Sequence, residues 1–180
     1  IFDEPGAIST VRVSVDSAGQ QGNGSSWNPA ISADGRFVTF DSQATNLVAN
    51  DTNGITDSFL HDTLTGSTEC VSRRNAPPAN PSGGGGATLS ADGRFVVFTS
   101  NDASLVPPGN WTGVYVRDRA TGTVERIDVT PTGGAPNHDA GAPLITPDGR
   151  YVAFTSSASN LVAGDTNGIG DVFVRDRLTG

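Results

Sequence analysis

The chain has 180 residues, room for one ordinary domain, with 23 glycines and 11 prolines against 35% hydrophobic residues, a balance that suits a turn-rich β-protein. No run of about 18 apolar residues is present to span a membrane. The net charge of −8 argues against a nucleic-acid face, the single cysteine (Cys70) excludes an internal disulfide, and no Cys/His cluster offers a zinc site. Methionine is absent, so Ile1 is expected to be a processed start, with any secretory leader already removed.

Residues 11–15 read as a lone strand. Trp27 follows in a linker, and a strand around Ala30 and Ile31 enters an Asp34-Gly35 turn, two positions that tolerate positive φ. Residues 37–40 alternate as the return strand. A long loop, about 41–56, leads to a third strand at 57–62, a Thr-Gly turn at 63–66 and a fourth strand at 68–72. Residues 83–86 are four glycines. With no lysine or helix after them they read as a blade connector, not a phosphate cradle.

The same order then returns. Ser32-Ala33-Asp34-Gly35-Arg36-Phe37-Val38-Thr39-Phe40 reappears 58 residues later from Ser90 to Phe98, and again 56 residues after that from Thr146 to Phe154. Asn46-Leu47-Val48-Ala49 with Asp51-Thr52-Asn53-Gly54, Asp57 and Phe59 recurs 114 residues on, from Asn160 to Phe173. Thr65-Gly66, Thr121-Gly122 and Thr179-Gly180 close the units, and residues 124–129 repeat the fourth strand. The middle copy departs: Pro107-Pro108-Gly109-Asn110-Trp111 replaces the Asp-Thr-Asn-Gly stretch and is two residues shorter. Four antiparallel strands per long repeat predict an all-β propeller with three four-stranded blades. The repeats cover about 16–72, 73–129 and 130–180, with 11–15 as a closing strand. A β-helix wants shorter coils, and a sandwich does not repeat.

The S-x-D-G-R-[FY]-V-x-F block resembles the blade motif of TolB-like propellers, a WD40-like bacterial group of periplasmic and secreted proteins. The N-L-V-x-x-D-T-N-G-x-x-D-x-F and R-D-R-x-T-G blocks resemble a subset of those repeats. From about Val11 onward the resemblance implies the fold and a periplasmic or secreted location. For function it leaves open a scaffold, a binding module or an appendage to a peptidase.

Three blades are too few for a ring. The strand phase, opening on a fourth-type strand and ending after three strands, suits a homodimer that closes a six-bladed ring; the alternative is a piece of a longer chain. Antiparallel order gathers the second-to-third loops and the blade linkers at one end. That end carries Trp27, Trp111, Asn137, His138 and Asp139 as candidate ligand-binding residues for a protein or carbohydrate. Asp51, Asn53 and Asp57, and likewise Asp165, Asn167 and Asp171, place oxygen ligands at positions 1, 3 and 7 of a short loop. These sets suit calcium, or else plain Asx turns, since the bidentate glutamate of an EF-hand is missing. The Arg-Asp-Arg and Asp-Gly-Arg sets recur at turns and read as ion pairs between strands or blades. His61 aligns with Arg117 and Arg175 and reads as an exposed polar position, while Cys70 reads as an inert thiol on an outer strand. The leading expectation is a non-enzymatic secreted or periplasmic binding module. The alternative is a hydrolase or lyase in the channel of the assembled ring, with His138 as its weak catalytic candidate, for no nucleophile elbow is present.

Overall fold

The computed structural model describes residues 10–73, 83–102, 105–106 and 111–180. Period-2 alternation around each Asp-Gly turn is realised as hairpins that widen into three antiparallel sheets. The first runs β1 (Ser26–Ile31), β2 (Phe37–Ser42), β3 (Asp57–Asp62), β4 (Thr68–Cys70) in spatial as well as chain order. The second repeats it as β5 (Gly85–Leu89), β6 (Phe95–Ser100), β7 (Gly113–Asp118), β8 (Val124–Arg126). The third has three strands, β9 (Ala140–Ile145), β10 (Tyr151–Ser156) and β11 (Asp171–Asp176). No helix long and apolar enough to cross a membrane occurs among the described residues.

The sheets stack face to face as blades, with the first strands β1, β5 and β9 side by side. One aromatic pair bridges β-strands two and three in every blade. Phe40 stacks on Phe59 at 5.8 Å, Phe98 on Tyr115 at 5.9 Å and Phe154 on Phe173 at 5.6 Å. Phe98 and Tyr115 pack against Leu60 and Val71 of the first blade, and Phe154 packs against Val114, Val116 and Ile127 of the second. Strand alternation therefore gives the middle sheet two buried faces.

The Asp-Gly turn takes a different form from the two-residue hairpin expected. Only the glycine is left-handed, with φ of 75° at Gly35, and the aspartate acts through its side chain. Asp34 Oδ1 accepts the Ser32 hydroxyl at 2.6 Å and the Arg36 N–H at 3.0 Å, while Phe37 N–H donates back to Ser32 Oγ at 2.9 Å. The same bonds recur at Ser90-Asp92-Arg94 and Thr146-Asp148-Arg150. Ser/Thr-x-Asp-Gly-Arg is thus one closed hydrogen-bonded turn, written three times.

Residues 11–15 form no strand in the structure; Val15 makes one isolated bridge to Gln21. Val13 packs instead on the Phe40–Phe59 cluster of the first blade. Thr68 Oγ1 donates to the Val15 carbonyl at 2.5 Å. The segment takes the place beside the first blade that Ile127 takes beside the third.

Candidate functional site

At the end of the blades where the long loops meet, Trp111 enters β7 and His138 precedes β9. Their rings lie parallel, 5.0 Å apart and inclined by 11°, and both residues are exposed. His138 Nδ1 accepts the Asp139 N–H at 3.0 Å, which leaves Nε2 as the ring's donor. Asp139 ties the two chain segments together, its Oδ1 accepting the Thr112 N–H at 2.7 Å. Beside the pair lies a depression of about 400 Å³ lined by Thr112, Asp139, Gly141, Thr155, Ser157 and Gly170. Two further sequence candidates lie outside this cluster. Asn137 is a clamp: its N–H and side chain bond Asn160 and Ser159, as Asn23 bonds Asn46 and Thr45 in the first blade. Trp27 lies within β1 on the first blade, paired with Asp41, and not in a loop as expected. A larger groove, about 880 Å³, is elsewhere again, between Asp16, Asn46, Leu47, Thr68, Glu69 and Arg73.

Among the described residues no three His, Cys, Asp or Glu side chains converge as a metal cluster. The two D-x-N-G-x-x-D loops each bring an asparagine onto an aspartate, Asn53 to Asp57 at 2.8 Å and Asn167 to Asp171 at 3.0 Å. The part of the middle copy's replacement segment at 107–110 lies outside the described residues.

His61 is buried, 4% exposed, where an exposed polar position was expected. Its Nδ1 meets Thr68 Oγ1 at 2.9 Å, and burial pulls its pKa below the ordinary value. Arg117, at the aligned position, is buried for a related reason: its guanidinium reaches back to the carbonyls of Val71 and Arg73. Arg117 thus bonds the backbone of the preceding blade, whereas His61 bonds a side chain of its own. The other charged sets pair between strands and blades as expected. Arg36, Arg94 and Arg150 grip Asp62, Asp118 and Asp176, while Arg119 and Arg177 reach Glu69 and Glu125 of the blade before. Cys70 is 1% exposed, and burial pushes its thiol up to about 12, so it is inert.

Sequence reasoning missed Asp41. It is 1% exposed and accepts from Ser58 Oγ, Asn28 Nδ2 and the Gly86 N–H, at 2.8, 2.9 and 2.8 Å, knitting β1, β3 and β5 together. A signal was available: the aligned residues Thr99 and Thr155 are threonines that bond only within their own blades.

No family model and no curated protein matches the chain. Among solved structures it is similar to TolB from Acinetobacter baumannii, at 21% identity and a TM-score of 0.54 over 89% of this chain and 31% of that one. It is similar also to a putative TolB from Agrobacterium tumefaciens, at 18% identity and a TM-score of 0.56 over 85% and 46%. The chain spans less than half the length of either. The stacked antiparallel sheets, two of four strands and one of three, make it a β-propeller. More particularly, its blades have the TolB-like propeller fold.

Proposed function

We propose that the chain is a non-enzymatic binding module of a secreted or periplasmic propeller, acting through its long-loop face. The observation that carries this reading is the exposed Trp111–His138 stack beside a shallow depression. Parallel rings held by the Asp139–Thr112 bond present an apolar plane for a sugar face or a peptide side chain, and His138 Nε2 supplies a donor at its edge. A catalytic reading asks for a nucleophile–base or carboxylate pair aimed at that depression. Of the titratable groups named for the site, Asp139 is engaged with a backbone amide, and His138 is exposed with its Nδ1 taken by the Asp139 N–H. We propose further that a second copy of the chain completes the ring.

The test is a binding screen with soluble oligosaccharides and unstructured peptides, read by tryptophan fluorescence and calorimetry. A ligand that quenches the wild type and loses at least tenfold affinity in Trp111→Ala supports the reading. The reading is overturned if ligands bind equally well to Trp111→Ala, if none of the panel binds, or if the chain turns over a bound oligosaccharide or peptide.

A further inference from the structure

The two copies of the D-x-N-G-x-x-D loop differ in their surroundings. In the third blade Asp165 and Asp171 are half-buried and Asn167 is exposed. Asn167 closes an Asx turn there, its Oδ1 accepting the Ile169 N–H at 3.0 Å while Nδ2 donates to Asp171. The first-blade loop makes the same two bonds and is bonded besides to the Gly83 and Gly84 amides, where the chain enters the second blade. Asp57 is fully buried, its Oδ1 accepting from Ser72 Oγ at 2.9 Å and from the Gly83 N–H at 3.1 Å. Asp51 is 7% exposed, and its Oδ1 is a buried oxygen with no hydrogen-bond partner.

A buried carboxylate oxygen needs a partner, and no other buried side-chain polar atom among the described residues lacks one. Two negative groups share the region. Both carboxylates are buried. Among the described residues neither carboxylate has an ion-pair partner; Arg36 is paired with Asp62 and, on the second blade, Arg119 with Glu69. What the pocket lacks is positive charge that accepts hard oxygen ligands. Calcium meets that need with carboxylate, carbonyl and water oxygens in irregular geometry, whereas magnesium demands a near-ideal octahedron.

We propose that the first-blade loop is a calcium site, with Asp51 Oδ1 and the Asp57 carboxylate as its charged ligands. Loop carbonyl oxygens and water complete the shell. Because Asp57 also holds Ser72 and the Gly83 amide, the ion fastens the loop to the crossing from the first blade to the second. Two carboxylates suit the weak end of calcium affinities, about 0.1–1 mM, the range of extracellular modules.

The test uses the whole chain in chelator-treated buffer, titrated with calcium chloride and, separately, magnesium chloride, by thermal unfolding and calorimetry. Calcium is expected to raise the melting temperature, and a chelator to reverse the rise. In Asp51→Asn the affinity falls at least tenfold, while Asp165→Asn keeps the response, since that loop satisfies its own groups. Without calcium, Asp51→Asn melts no lower than the wild type, because it removes an unpaired buried charge. With calcium the order inverts, a crossing that a purely structural aspartate does not produce. The proposal is overturned by a wild type that neither binds nor shifts at about 5 mM calcium, by equal responses to magnesium, or by a response that survives in Asp51→Asn. The wild-type titration decides the matter even if a variant does not fold.

Discussion

Glycine in the Ser/Thr-x-Asp-Gly-Arg turn answers to two separate demands, and the three copies separate them. At Gly35 only the backbone matters: φ is 75° and a Cβ there meets nothing within 4 Å. At Gly93 φ is 68° and a Cβ lands 2.2 Å from the Phe37 ring of the preceding blade. That ring is held on both sides, with the Arg36 guanidinium 4.7 Å and the Arg119 guanidinium 4.5 Å from its centroid, so it has little room to yield. Gly35→Ala is therefore expected to cost about 1–2 kcal/mol, the left-handed backbone alone. Gly93→Ala adds an overpacking cost of about 1–3 kcal/mol. Urea unfolding of the two variants checks this, and equal losses would show that the blade contact is soft. The φ requirement was legible from the Asp-Gly dipeptide. The close approach was not, because the ring it meets lies 56 residues away in the chain, from Phe37 to Gly93.

Between elements, each hairpin turn is bolted to the next by an arginine–aspartate pair, Arg94 Nη2 standing 2.7 Å from Asp118 Oδ2. The Arg94 bond, with help from the Ala120 N–H, holds the Asp118 carboxyl down at about 2, below the ordinary value of about 3.9. A carboxyl depressed in the folded state binds its proton more weakly there than when unfolded. Its contribution is thus complete above the unfolded value and is lost as pH falls from about 4 to about 2. The stability gap between the wild type and Asp118→Asn is expected to close across that window, followed by urea midpoints from neutral pH downward; a gap constant with pH counts against the pair. Recurrence of these charges at turns made the pairing readable. Strands were readable too, since each alternating run about an Asp-Gly turn became a hairpin. His61 and Trp27 were misjudged because alignment gives a position in the repeat and not what faces it: the neighbouring segment buries His61 through Thr68, and β1 begins early enough to include Trp27. Asn137 carries a structural bond pattern that its recurrence as Asn23 made readable in the sequence.

At the scale of the molecule the two ends of the stack are unlike. The leading face of the first blade is covered, Phe40 and Phe59 being 3% and 0% exposed with Val13 packed on their cluster. The trailing face of the third is bare. Val172 and Val174 are 75% and 67% exposed, whereas their counterparts Val114 and Val116 are buried against the third blade. β11 has one ladder partner, β10, and its other edge is unpaired among the described residues. Bare valines beside an open edge are the kind of surface that another sheet covers, whether a further blade of a longer chain or the second copy proposed above. The arrangement in which Ile127 adjoins the third blade, and Val13 adjoins the first, sets the geometry of the proposed ring. In it residues 11–15 of one copy lie along β11 of the other, and the valines face the partner's leading blade. Light scattering is then expected to give twice the chain mass of 18.4 kDa. The double variant Val172→Asp, Val174→Asp should return the mass to that of one chain while leaving the β-sheet circular dichroism intact. A wild type that stays monomeric across a concentration series overturns the ring, as does a dimer that survives both charges.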